Sequence, residues 1–331
     1  MTAQISRNLQ PLASRIAARS CAVVALSSLV LLGGCYQTTG RAATRTNPAV
    51  PQRTPEDIAL ENVAKGKTLQ NKGQNVQALL AFERAIESNP TLTQAYVGAA
   101  QIYQAQGDYA TAADRYGQAA ELEPRNFDAQ YGYGLMLQLL DRVSESIRAY
   151  LKALSLKPND FNTNLNLATA YFQIGEANEA LPYARRAVQL NAKSAEARVN
   201  LGAIHGALDQ NEEAVNEYVQ ALELGPLQPP VLLNLAESYN KLKRYDEMVN
   251  TLSQLVRTNA SPVAYERLGS GLFRLKKYDD AEAAFRKAIE LDGNHFPALN
   301  GVGVCMLNKF VWGGSVDEAM KKEAVGFLRR S

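Results

Sequence analysis

The sequence predicts an all-α solenoid of stacked helical hairpins, and the observation behind this prediction is a period of 34 residues. Three triplets of the form Asn-Leu-Ala/Gly start 34 residues apart, at Asn166, Asn200 and Asn234. Three prolines keep the same spacing, namely Pro90, Pro124 and Pro158. A self-similar period of this length is longer than a typical helix or strand, and it indicates one helical hairpin per repeat.

The small residues and prolines of each repeat predict how a hairpin is built. With Ala59 as position 1, positions 8, 20 and 27 are mostly Gly or Ala, because two helices of a hairpin pack only about 8 to 10 Å apart. The prolines end second helices, since proline cannot continue the backbone hydrogen-bond ladder. Three glycines are expected in the turns between helices, where a positive φ suits a helix end: Gly73, Gly107 and Gly175.

Taken in order, the repeats predict about seven full units over residues 59–295 and an irregular eighth unit over 296–331. In the sixth unit Met248, Leu252 and Leu255 replace small residues, which predicts looser packing or a shifted packing angle there. The seventh unit starts 33 residues after the sixth. A solenoid needs a terminal unit with a polar outer face, and the last helix offers five charged residues for it: Lys321, Lys322, Glu323, Arg329 and Arg330.

The repeated motif, Asn-Leu-Gly/Ala followed by Tyr or His and then by Ala or Met, resembles the tetratricopeptide repeat (TPR). The resemblance implies antiparallel helix pairs stacked into a right-handed superhelix, with the first helices lining a concave face. In some members, asparagines on that face bind the backbone of an extended peptide, because a side-chain amide both donates and accepts hydrogen bonds. The resemblance therefore implies a peptide-binding groove with these residues: Asn166, Asn200, Asn234, Arg267, Leu165, Val199, Leu233, Phe172 and Glu237.

The asparagine ladder has a competing interpretation, in which asparagine at this position serves only helix packing and solubility. Three rungs at about 0.5 to 1.5 kcal/mol each supply roughly 1.5 to 4.5 kcal/mol, whereas micromolar binding needs about 8 kcal/mol. Side-chain pockets would have to supply the difference.

The N-terminal segment predicts a lipoprotein. Residues 1–34 combine three arginines with an apolar run, Cys21–Leu32, that is too short to span a bilayer. Leu32-Gly33-Gly34-Cys35 resembles the bacterial lipobox, which implies lipidation of Cys35; the alternative is an ordinary signal peptide with an incidental cysteine. Residues 35–58 are rich in proline and threonine and predict a disordered tether. Tyr36, in place of Asp, favours the outer membrane facing the periplasm over the inner membrane.

The composition and motifs do not point to catalysis. Without Arg7, Arg15 and Arg19 the net charge of +2 falls to about −1, which argues against nucleic-acid binding. The sequence shows no phosphate loop and no paired-cysteine or zinc-helix motif, so no metal, cofactor or enzymatic activity is predicted. His205 and Cys305 are expected as core residues, and His295 as a solvated turn residue.

The sequence thus predicts a non-catalytic scaffold, anchored to the bacterial envelope, that binds segments of other envelope proteins. Lipoproteins of this build resemble assembly factors of type IV and tight-adherence (Flp) pili and of secretin-based export. One alternative is an accessory subunit of a cell-wall or polysaccharide enzyme complex, and another is an enzyme in its own right. A further hypothesis is that the protein self-associates through its exposed last helix.

Overall fold

The computed structural model describes residues 53–226, 228–312 and 318–331, and every regular element in these ranges is a helix. The predicted signal segment, Cys35 and most of the predicted tether lie outside the described residues. The sixteen helices are α1 Pro55–Asn71, α2 Asn75–Ser88, α3 Thr93–Ala105, α4 Tyr109–Leu122, α5 Phe127–Leu139, α6 Val143–Leu156, α7 Phe161–Gln173, α8 Ala177–Leu190, α9 Ala195–Ala207, α10 Asn211–Leu224, α11 Pro229–Lys241, α12 Tyr245–Thr258, α13 Pro262–Arg274, α14 Tyr278–Leu291, α15 Phe296–Trp312 and α16 Glu318–Arg330.

The helices form eight hairpins, each made of an odd-numbered first helix and an even-numbered second helix. Every helix packs against the next one in the chain, and most first helices also contact the first helix of the next hairpin. The second helices show no comparable contacts with each other. Hairpins that approach each other more closely on one side curve toward that side, so the first helices line the concave face, as the sequence predicts.

The turns between the two helices of a hairpin repeat one backbone geometry. Gly73, Gly107 and Gly175 have φ between 73° and 84°, which confirms the prediction made for these glycines. Non-glycine residues hold the same left-handed conformation in four other hairpins: Asp141, Asp209, Lys243 and Lys276. In each turn the residue after the left-handed one donates its N–H back to a carbonyl of the first helix, as in the Schellman motif.

A buried aromatic ring at position 24 joins neighbouring hairpins. Phe82 is fully buried between Gly66 of its own hairpin and Gly98 of the next. The same arrangement recurs with Phe285, which lies against Gly269 and Gly301. Because a side chain at any of these glycines would enter the ring, glycine is required there for the close approach of helices. Tyr116, Tyr150 and Tyr218 hold the equivalent place, while Ala184 and Leu252 leave it without a ring.

Of two predictions about the repeats, the start of the first unit needs correction and the packing of the sixth is confirmed. Helix α1 begins at Pro55 rather than at Ala59, because Thr54 and Asp57 form a capping box at its first turn. The two helices of the sixth hairpin contact each other at fewer positions than those of the other hairpins that the structure describes, which confirms the looser packing, although Met248, Leu252 and Leu255 are themselves buried. The sparsest packing between consecutive helices lies before it, between α10 and α11.

The two histidines, Cys305 and the charged residues of the last helix differ in how deeply they are buried. His205 is buried, with Nδ1 2.6 Å from Oε1 of Gln210, as expected for a core histidine. Cys305 is buried, and burial raises the pKa of its thiol to about 11. His295 is less solvated than predicted, because its Nε2 atom is buried without a hydrogen-bond partner. The five charged residues expected to cap the last helix are all exposed.

Candidate functional site

The residues predicted for the groove lie on the first helices of hairpins four to seven. Asn166, Asn200, Asn234 and Arg267 occupy position 6 of α7, α9, α11 and α13, so each helix contributes one of them to the concave face. Phe172 and Glu237 lie on the same face, on α7 and α11. Val199 and Leu233 are half-buried beside the asparagines.

The asparagine amides are turned back toward the preceding hairpin. Asn166 Nδ2 donates to the Tyr131 hydroxyl at 3.3 Å. Asn200 Nδ2 donates to Thr169 Oγ1 at 2.5 Å, and Asn200 Oδ1 is buried with no hydrogen-bond partner. The two amides therefore connect hairpins to each other, and a peptide would have to compete with these contacts.

The third rung differs from the other two. Burial raises the pKa of the Tyr218 phenol to about 12, and the nearby amide of Asn234 acts in the opposite direction. Asn234 itself is exposed. Among the three asparagines it is therefore the most accessible to a ligand.

The predicted groove residue Leu165 is a core residue instead. Its side chain is 4% exposed and packs with Ala187 and Ala197. Position 5 lies at the border between the concave face and the hairpin core, and here the small neighbours on α8 and α9 let the leucine enter the core. The groove therefore does not include Leu165.

Charged side chains pair across the concave face next to Asn234. Arg267 Nη1 donates to the backbone oxygen of Leu233 at 3.2 Å and lies 3.6 Å from Glu237 Oε2. Lys241 Nζ lies 3.2 Å from Asp209 Oδ1. Such exposed pairs contribute roughly 0 to 1 kcal/mol each, so they do not prevent a ligand from replacing them.

A cavity of about 280 Å³ opens between α9 and α11, and we call it the α9/α11 pocket. The inner face of α9 carries only small residues here, whereas α11 carries Glu237 and Lys241 at the equivalent positions. This missing volume on α9 creates the pocket. It is lined by Phe172, Ala203, Gly206, Ala207, Asn211, Tyr218, Asn234, Glu237, Ser238 and Lys241.

A second cavity of about 400 Å³, the α13/α15 pocket, lies two hairpins further along the same face. Phe285 belongs to its lining as Tyr218 belongs to that of the first pocket, and both rings are at position 24. The pocket is lined by Glu266, Ser270, Phe273, Arg274, Phe285, Pro297, Asn300, Gly301 and Val304. Neither pocket is predicted by the repeat pattern of the sequence, although the small residues Ala203, Gly206 and Ala207 on one helix face indicate missing volume at the first.

Comparison with protein-family models identifies the repeats. Five models described as tetratricopeptide repeat match residues 97–161, 165–193, 195–226, 231–260 and 262–295, which together exceed half of the chain. The chain belongs to the tetratricopeptide repeat family. The matches confirm the family that the 34-residue motif suggested, and the α1–α2 hairpin extends the TPR array N-terminal to them.

Solved structures show the same TPR fold. The structure described as a functional characterisation of PilF from Pseudomonas aeruginosa is 19% identical, with a TM-score of 0.51, over 62% of this chain and 93% of that one. A tetratricopeptide repeat protein from Parabacteroides merdae ATCC 43184 is 16% identical, with a TM-score of 0.50, over 75% of this chain and 99% of that one. At these identities the likeness concerns the fold and not the ligand. No curated protein sequence matches the chain.

The TPR array brings together three of the predicted groove residues, since Phe172, Asn234 and Glu237 line one pocket. Asn166, Asn200, Val199 and Leu233 lie outside both pocket linings. Over residues 53–226, 228–312 and 318–331 no cluster of three metal-binding side chains occurs. In the same ranges no helix combines the length and hydropathy needed to cross a bilayer.

Proposed function

We propose that this protein is a non-catalytic scaffold whose concave face binds extended segments of other proteins. The observation that carries the proposal is the pair of open pockets on the first helices, where aromatic rings meet charged and amide side chains. Ligand pockets of proteins combine apolar walls with a few polar groups in this way. Stacked TPR hairpins are a general means of presenting such a surface.

We further propose that the scaffold is lipid-anchored in the bacterial envelope. The sequence observation that supports this step is the order of basic residues, apolar run, small residues and Cys35. Two or three acyl chains on one cysteine would anchor a protein stably, because each buried methylene contributes about 0.8 kcal/mol. We expect the outer membrane, with the TPR array facing the periplasm, and partners among pilus, secretin or export components. Self-association through α16 remains a prediction.

The proposal is tested by photo-crosslinking in living cells. A photoreactive amino acid replaces Ala207, which is exposed and lines the α9/α11 pocket. The matched control replaces Ala105, the exposed residue at the same repeat position on α3. Adducts are identified by mass spectrometry.

We expect the probe at Ala207, and not the probe at Ala105, to capture a pilus, secretin or export protein. Capture of a cell-wall transferase or hydrolase would support the enzyme-accessory alternative. Adducts found only with a probe on α16 would move the binding surface to the last helix and contradict the groove.

A further inference from the structure

We infer that the ligand of the concave face is an extended peptide with two large apolar side chains about six residues apart, and with a carboxylate beside the one bound in the α13/α15 pocket. This inference rests on the proposed binding function and deepens it. It concerns what the groove selects, whereas the proposal above concerns only that the groove binds.

The two pockets are equivalent sites in the repeat. Each lining includes the position-24 ring of one hairpin and residues of the first helix of the next hairpin, Tyr218 with α11 and Phe285 with α15. The inner positions beside the rings are small, with Ala203 and Gly206 in one pocket and Ser270 and Gly301 in the other. Tyr218 and Phe285 are themselves only 1% and 4% exposed. The aromatic surface that an apolar side chain of a ligand can reach is therefore that of the half-buried Phe172 in one pocket and of the half-buried Phe273 in the other.

Between the two pockets the concave face is bridged. Arg267 extends from α13 to the backbone of Leu233 on α11 and pairs with Glu237. Beneath this bridge, position 24 of the sixth hairpin is Leu252 rather than an aromatic residue, and Leu252 is fully buried. A ligand that fills both pockets must therefore pass over the bridge in an extended conformation.

The N-terminal half of the face is bridged in a similar way. Gln70 Nε2 donates to Gln101 Oε1 at 3.2 Å between α1 and α3. Gln138 Nε2 donates to Gln173 Oε1 at 2.9 Å between α5 and α7. The small residues of α9 cannot form such a bridge, which explains why a pocket opens at that place.

The spacing of the pockets sets the spacing of the two apolar side chains. Helices packed directly against each other lie about 8 to 10 Å apart. First helices of successive hairpins touch at only a few positions, and α11 and α13 at fewer still, so they lie at or beyond the upper end of that range, and two hairpins along the face correspond to roughly 20 Å. An extended peptide advances about 3.3 Å per residue. The two apolar residues are therefore separated by about five to six positions.

The charges around the pockets set the polarity of the ligand. Arg274 lines the α13/α15 pocket and is exposed, and within the described ranges no hydrogen bond or ion pair engages its guanidinium. Glu266, in the same pocket, accepts a hydrogen bond from Ser270 at 3.0 Å. Lys241 has the same repeat position as Arg274 but lies on α11, the second of the two helices that form its pocket, and its ammonium is 3.2 Å from Asp209 Oδ1. A guanidinium without a partner favours a carboxylate, so we place an acidic residue at this end of the ligand.

The test is a selection of random twelve-residue peptides displayed on phage against the purified full chain. The expected consensus has two large apolar residues five or six positions apart and an acidic residue next to one of them. Synthetic peptides of this consensus, and versions with the spacing changed by two residues in either direction, are then compared by fluorescence anisotropy.

Variants of the chain assign each feature to its pocket. Ala207→Trp should fill the α9/α11 pocket and weaken binding roughly tenfold to a hundredfold, as expected for losing one buried apolar side chain. Ala105→Trp, at the same repeat position on α3, should leave binding unchanged. Arg274→Glu should remove the preference for an acidic residue, whereas Arg148→Glu, at an exposed position of α6 outside both pockets, should not. Circular dichroism verifies that each variant is folded.

The possible results separate this inference from the proposed function. A consensus with one apolar residue, or without a preferred spacing, would overturn the inference, and crosslinking from Ala207 would still support the scaffold. Equal losses for Ala207→Trp and Ala105→Trp would also overturn it. Absence of both selected peptides and crosslinks would remove the proposed function as well.

Discussion

Replacing Gly98 with alanine tests whether the Phe82 ring, which joins the first two hairpins, is packed so closely that it cannot move aside. An added Cβ at Gly98 would lie 2.5 Å from Cζ of Phe82, far inside van der Waals contact. Phe82 is fully buried, and on its other side a Cβ at Gly66 would lie 2.7 Å from Cε1 of the same ring. The ring therefore has no space into which it can retreat.

Two effects of opposite sign decide the outcome. Overpacking a close-packed core costs about 1 to 3 kcal/mol, while replacing glycine by alanine inside a helix gains about 1 kcal/mol. We expect Gly98→Ala to lower the free energy of unfolding by up to roughly 2 kcal/mol. Gly206→Ala is the control, because the nearest atom to its Cβ is Ala214 Cβ at 3.9 Å, and it should be stabilising or neutral.

Hydrogen exchange measured by mass spectrometry is the suitable assay, because repeat arrays open locally and one global midpoint averages over the units. Gly98→Ala should speed exchange in α1, α2 and α3 and leave α13 and α14 unchanged. If Gly98→Ala instead slows exchange as Gly206→Ala is expected to, then the ring is not confined and the packing argument is wrong.

Three further predictions concern the turns, the C-terminal hairpin and the anchor. Lys276 has φ +61°, so Lys276→Gly should raise the free energy of unfolding by about 1 kcal/mol in urea titrations, and a loss of stability would show that its side chain is needed there. Burial raises the pKa of Glu282, but hydrogen bonds from Lys309 and Arg286 outweigh burial and leave that pKa below its ordinary 4.5. Its ionised form therefore stabilises the fold above that value, and this stabilisation is lost as pH falls through the lower folded-state pKa. Protection of α14 and α15, measured relative to the intrinsic amide exchange rate at each pH, should fall in this acidic range in the wild type. Glu282→Gln should be less protected already at neutral pH and should show a smaller fall; identical pH profiles of protection would contradict the assignment. Cys35→Ser should move the protein from the membrane to the soluble fraction of cells, and retention in the membrane fraction would count against the lipid anchor.

Much of the fold could be predicted because the repeat constrains it strongly. A hairpin places small residues wherever two helices approach, and it places a left-handed residue at each turn. Both kinds of position recur every 34 residues, so Gly73, Gly107 and Gly175 could be assigned to turns from their spacing alone. Lys243 and Lys276 take the same conformation without glycine, because the rest of the turn determines the backbone at that residue.

The candidate site could be predicted only in part, because it depends on side-chain directions and on missing volume. The sequence places Asn166 and Asn200 on the concave face, but their hydrogen bonds to Tyr131 and Thr169 cross between hairpins and follow from rotamers. Leu165 occupies the same repeat position as Val199 and Leu233, yet only its surroundings are small enough to bury it fully. Neither the hydrogen bonds of these amides nor the burial of Leu165 can be predicted from the residues of a single repeat.

The pockets and the bridges together divide the array by role. Glutamine pairs connect α1 with α3 and α5 with α7, and these contacts bridge the concave face of the N-terminal hairpins at two places. The openings begin at α9, where the inner side chains become small. At about 8 to 10 Å per helix layer, four hairpins place the first opening roughly 40 Å along the array from Arg53. We therefore expect substitutions in the two pockets, and not substitutions on the concave face of the N-terminal hairpins, to change which peptide the protein selects.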